Sequence, residues 1–155
     1  MHIDNLADIL RQHPFLAGLS DKHMEVLVGC ASNAHFPDGG YLIHEGQIAN
    51  KFFLIRTGRI ALEIDVSPRG PLRIQTVGPG DVLGWSWLIP PYTWHFDARA
   101  LELTRAIALD GKCLRKKIEA DHELGYVVMK RFSELMVQRF QVTRLQLLDM
   151  YGNRD

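Results

Sequence analysis

The chain has 155 residues, enough for one domain with a real core, and its 18 basic and 18 acidic residues cancel to a formal charge of zero. That balance argues against a surface built to neutralise nucleic-acid phosphates, and Arg115-Lys116-Lys117 reads as a solvated helix face. The polar N-terminus is no signal peptide and no apolar run is long enough to span a membrane; Cys30 and Cys113, lacking metal-ligand spacing, read as reduced thiols of a cytoplasmic protein.

The chain opens on helices. Ile3, Leu6, Ile9 and Leu10 recur at helical spacing until His13-Pro14, and Ser20 is placed to cap a second helix carrying Met24, Leu27 and Val28 on one face. From Phe36 the punctuation changes to turns at Pro37-Asp38-Gly39-Gly40 and Glu45-Gly46, with the apolar run Tyr41 to Ile43 between them. The clearest strand follows. Ile60, Leu62, Ile64 and Val66 alternate with Arg59, Glu63 and Asp65, which predicts one buried and one wet face. Ser67-Pro68-Arg69-Gly70 turns the chain, and Leu72, Ile74 and Thr76 alternate back to complete a hairpin. After the turn at Gly78-Pro79-Gly80-Asp81 comes a loop, 84–96, that holds all three tryptophans, and then two short strands around Ala98–Leu101 and Ala106–Leu109. Many short strands with regular turns predict a small antiparallel barrel or jelly roll.

Asp110 is placed to cap a short helix and Asp121 a long one. In the long helix Val128, Phe132, Leu135, Val142 and Leu145 form one apolar stripe, and Met129, Met136, Phe140 and Leu147 a second. A helix of about 30 residues is about 45 Å long, at about 1.5 Å per residue, which exceeds a roll of this size. One stripe can cover the roll; the other calls for a partner, most simply the same helix of a second subunit, giving a homodimer.

Helices, a jelly roll with a glycine-led loop, then a long helix: this order resembles the cyclic-nucleotide-binding domain of the cyclic-AMP receptor and fumarate–nitrate regulator superfamily. The marks are "PFLAGLSDKHMEVL", "FPDGGYLIHEGQ", "FFLIRTGRIAL", "VGPGDVLGW" and "QRFQVTRLQLL", and they run through the whole chain. The resemblance implies a mainly β fold with flanking α elements: an antiparallel jelly roll (double-stranded β-helix) over 35–109, a helical lead-in over 1–34, and helices over 110–155 that include a dimerisation helix. The whole, 1–155, is read as one domain, a non-catalytic signalling module.

Two departures from the resemblance stand out. DNA-binding members continue into a helix-turn-helix domain, which this sequence does not contain, so no direct DNA binding is expected. In nucleotide-binding members the loop glycine is followed by a glutamate for the ribose and, about ten residues on, an arginine for the cyclic phosphate. Matched from Gly84, the glutamate position holds Trp85 and the arginine position falls at Trp94 or His95. Losing the arginine alone costs about ten- to a hundredfold in affinity, at about 1.5–3 kcal/mol per charged hydrogen bond. What remains for an anion is a helical turn after Gly84, the Ser86 hydroxyl, and the cations His95 and Arg139; Arg139 and Thr143 match positions from which family members reach the nucleotide base.

The expected ligand-binding set is therefore Gly84, Trp85, Ser86, Trp94, His95, Arg139 and Thr143, with no catalytic or metal residues. The aromatic cluster Trp85, Trp87, Tyr92, Trp94 and Phe96 either lines a pocket for a planar effector or fills the vacated one. A cupin-type metal site is not supported, because His44-Glu45 lacks the His-x-His pair and later ligands. No cofactor is required on this reading, and cyclic nucleotide is doubtful. The alternatives are a genuine but weak binder of cyclic AMP or cyclic GMP, and a haem-based gas or redox sensor, which would absorb in the Soret region. The protein partner is unknown.

Overall fold

The computed structural model describes residues 6–152. Ile3, the first residue of the N-terminal apolar pattern, lies outside them. The chain divides into two compact units, 1–117 and 118–155.

In the first unit, helix α1 (Leu6–Gln12) leads through a 3₁₀ turn at Pro14–Leu16 to α2 (Asp21–Gly29). Ser20 caps α2 as expected, its hydroxyl accepting from the His23 amide at 3.2 Å, and Met24 and Leu27 are buried. Eight strands follow among the described residues: β1 (Ala31–Phe36), β2 (Tyr41–Ile43), β3 (Lys51–Thr57), β4 (Ile60–Asp65), β5 (Pro71–Val77), β6 (Val82–Leu83), β7 (Asp97–Ala100) and β8 (Thr104–Asp110). They form two antiparallel four-stranded sheets in the orders β1-β8-β3-β6 and β2-β7-β4-β5. Ile43, Phe53, Ile55, Ile60, Leu62, Val77, Leu83, Ala98, Ala106 and Ala108, contributed by both sheets, make one hydrophobic core. Strand β1 begins inside the stretch expected to be a helical lead-in, because the α2 helix ends at Gly29 and Cys30 turns the chain.

The predicted hairpin is present as β4–β5, from Ile60 opposite Val77 to Asp65 opposite Pro71. The expected alternation fails within it. Glu63 is 4% exposed, whereas Val66, just beyond the strand, is 38% exposed. The buried carboxylate accepts two bonds from the Arg99 guanidinium of β7, at 3.1 and 3.0 Å. Those bonds hold the Glu63 carboxyl below the usual carboxylate range, against burial acting the other way.

Cys30 and Cys113 are not free thiols. They form a disulfide, with Cα atoms 5.8 Å apart, within the range a bridge requires. This corrects the reduced-thiol reading and removes the basis on which the cysteines pointed to a reducing compartment. Among the described residues no helix is long and apolar enough to cross a membrane.

His13 is buried between α1 and the 3₁₀ turn. Its Nδ1 accepts from the Phe15 amide at 3.2 Å and its Nε2 lies 3.3 Å from the Ile55 carbonyl, a pattern that suits the neutral ring with its proton on Nε2. Burial lowers its pKa, and the Ile55 carbonyl and Asp81 only partly oppose that. A base with a depressed folded pKa makes the unfolded chain the better proton binder, so this stability is present above the ordinary imidazole range and lost as pH falls through it. Denaturation midpoints measured at pH 7.5 and 5.5 should fall less for His13→Gln than for the wild type; equal falls would contradict the assignment.

Helix α3 (Gly111–Ala120) is capped by Asp110, whose carboxylate accepts from the Cys113 amide at 3.1 Å. Lys117 closes the first unit within this helix. The second unit is dominated by α4 (His122–Gly152), 31 residues long, with Asp121 accepting from the Glu123 and Leu124 amides. Leu124, Val128 and Phe132 are buried, whereas both predicted stripes are open toward the C-terminus: Phe140, Leu145 and Leu147 are exposed by half or more.

Candidate functional site

Strand β6 ends at Leu83, and Gly84 turns the chain with φ +98°, a conformation that side chains other than glycine's rarely adopt. The residues that follow form i→i+3 turns, Leu88 N–H to Trp85 carbonyl and Ile89 N–H to Ser86 carbonyl, not a helix. The expected helical turn, with a dipole aimed at an anion, is therefore reduced to a pair of turns.

The return leg is pinned from outside. Trp94 exchanges two backbone bonds with the 46–47 turn (Gly46 N–H to Trp94 carbonyl, Trp94 N–H to Gln47 carbonyl), and Ala49 N–H donates to the Tyr92 carbonyl at 2.7 Å. Trp94 is 6% exposed and belongs to the core of the roll, with Phe96 edge-on to its ring. Its indole occupies the space in front of Gly84: a Cβ at that glycine would stand 2.5 Å from Cη2 and 2.6 Å from Cζ3. Trp87 is fully buried and stacks on Phe52 with ring centroids 4.8 Å apart. Trp85 is half-buried, Ser86 is buried, and His95 faces solvent.

Arg115 of α3 is absent from the expected set and belongs to a run expected to be a solvated face. Its guanidinium instead donates to the Trp87 carbonyl at 2.6 Å and to Asn50 Oδ1 at 3.3 Å, and lies 4.3 Å over the Tyr92 ring. Lys116 and Lys117 are exposed, as expected. Nothing in the local sequence marks Arg115, since its partners stand 23 to 65 positions away in sequence.

Of the expected set, Gly84, Trp85, Ser86, Trp94 and His95 lie on this one loop of the first unit. Arg139 and Thr143 stand one turn apart on α4, in the second unit, where the Thr143 hydroxyl donates to the Arg139 carbonyl at 3.0 Å. Among the described residues, no group of three or more His, Cys, Asp or Glu side chains is arranged to hold a metal ion.

The profile of the cyclic nucleotide-binding domain matches residues 34–121. The chain is 24% identical over 86 residues to the cGMP-dependent protein kinase of Plasmodium berghei (strain Anka), covering 56% of this chain and 10% of the kinase. It spans about a tenth of the length of the curated relatives it matches. Among solved structures it is similar to a protein of Geobacter metallireducens GS-15 designated cyclic nucleotide-binding (TM-score 0.79, 27% identity, 87% of this chain and 98% of that one). It also shares the fold of a cyclic nucleotide-binding domain from Methylobacillus flagellatus KT (TM-score 0.78, 21% identity, 94% and 82%). The family match spans more than half of the chain, runs from β1 to the start of the long helix, and includes the loop described above; the chain belongs to the cyclic nucleotide-binding domain family.

Proposed function

We propose that this protein is a non-catalytic, effector-sensing or interaction module whose phosphate loop is closed by its own tryptophans. The observation that carries this reading is the Trp94 indole lying against Gly84 as part of the roll's core, where relatives would need open space and an arginine. Trp85 stands where a ribose-binding glutamate is expected. Arg115, bonded to the Trp87 carbonyl and stacked on Tyr92, holds the loop from the α3 side, which favours a fixed loop over an adaptable one. Melting curves with 1 mM cyclic AMP or cyclic GMP test the reading. A ligand binding at 10 μM would add about 2.7 kcal/mol at 100 times its dissociation constant, a shift of several degrees, whereas the dissociation constants above about 100 μM expected here add less than about 1.4 kcal/mol and a fully closed loop adds nothing. The runner-up, a weak but genuine cyclic-nucleotide regulator, is favoured by family membership itself and would give a small, concentration-dependent shift.

The module acts as a homodimer through α4 on this reading. Val137, Phe140, Leu145, Leu148 and Met150 are all exposed by more than half, a continuous apolar length on a net-neutral chain. A second copy of the same helix supplies a matching surface. Light scattering at micromolar concentration should give a dimer for the wild type and a monomer for Leu135→Glu/Val142→Glu; a monomeric wild type would contradict this.

A further inference from the structure

In the β1-β8-β3-β6 sheet the strand register gathers cations. His35 of β1 stands opposite Arg105 of β8, and Arg105 is also opposite Thr57 of β3. The β3 register shifts between Ile55 and Thr57, so Arg56 is the inserted residue beside Arg105. A bulge of this kind re-aims a side chain. Like charges on neighbouring strands repel, so the roll carries this pair at a cost. Around them is an open cavity of about 540 Å³, whose lining includes Ile9, Asn33, His35, Arg56, Leu103 and Arg105. Among the described residues no aspartate or glutamate lines it, and neither arginine has an ion-pair partner. The cavity is of the size that takes small molecules, and two guanidiniums, an imidazole and an amide beside two aliphatic side chains suit an oxyanion on an apolar body.

We infer that this cavity binds a small organic anion, a carboxylate or phosphate ester, whose charged head is held by Arg56 and Arg105 and whose apolar body rests on Ile9 and Leu103. Ile9 and Leu103 beside the two arginines supply an apolar rest of the size of a small amphipathic anion. Such binding is independent of whether the tryptophan loop is open or closed.

The test is a titration of ¹⁵N-labelled protein with phenyl phosphate and, separately, benzoate, followed by amide chemical shifts. The expected result is saturable movement confined to residues 33–35, 56–57 and 103–106, with the loop 84–96 still. Saturation by phenyl phosphate alone identifies a phosphate ester, by benzoate alone a carboxylate, and by both the shared oxyanion chemistry. Arg56→Gln/Arg105→Gln should weaken binding at least tenfold while melting no lower than the wild type, because the substitutions relieve repulsion between exposed groups. Arg105→Lys, which keeps the charge and loses the fork, should fall between the two. Shifts scattered over the surface, equal affinity in the double variant, or a response to poly-glutamate peptide with none to either small anion would overturn the inference.

Discussion

Truncating Trp94 to alanine is expected to destabilise the fold by about 3–5 kcal/mol in urea denaturation followed by circular dichroism, the range for removing a large aromatic from a core. The indole is 6% exposed, packs among Phe53, Leu83 and Ala98 in the core cluster, and lies against Gly84. Its contact with that glycine makes a sharper prediction. Gly84→Ala adds a Cβ at 2.5 Å from the ring and a side chain at φ +98°, so overpacking and backbone strain both apply, for a loss of about 2–5 kcal/mol. In the Trp94→Ala background only the backbone part remains, and Gly84→Ala should cost at least about 1 kcal/mol less there. Equal cost in both backgrounds would mean that the indole does not fill the space in front of Gly84.

The second large effect belongs to the disulfide. Replacing Cys30 and Cys113 with serine should cost about 2–4 kcal/mol and lower the melting temperature by about 5–15 °C under non-reducing conditions. The bridge joins residues 83 positions apart, so the unfolded chain regains much freedom when it is removed. It also ties the first turn of α3 to the end of α2, two residues before Arg115 and its bonds to the tryptophan loop. Added reductant should bring the wild type down to the level of the variant. Coincident melting curves without reductant would contradict the bridge.

Both effects differ in how far the sequence announces them. The β4–β5 hairpin is legible from the alternation of residue types about the Ser67–Gly70 turn, although in β4 itself Ile60, Ala61, Leu62 and Glu63 are all buried. Strand β3 gives no such signal, because Phe52, Phe53, Leu54 and Ile55 are all buried and the period of two disappears. Glu63 defeats the pattern in another way. It is buried although it alternates with the core residue Leu62, and the ion pair with the distant Arg99 makes that burial tolerable. The disulfide and the role of Arg115 are hidden because both depend on α3 meeting residues brought near by the fold. At the loop, the family resemblance sets Trp85 and Trp94 or His95 at the positions where charges are expected but leaves two readings open, a lined pocket or a filled one. Choosing between them requires the direction of one indole, which follows from packing against Gly84 and the core and not from spacing.

Whether the family's phosphate loop is closed in this protein can be decided by isothermal titration calorimetry of the wild type with cyclic AMP and cyclic GMP. On the proposed reading, with Trp85 and Trp94 at the positions of the glutamate and the arginine, dissociation constants above about 100 μM are predicted for both nucleotides. Micromolar affinity for either would contradict a closed loop: it would mean that the Trp94 ring vacates the space before Gly84, or that a cation such as His95 or Arg139 has taken over the arginine's part.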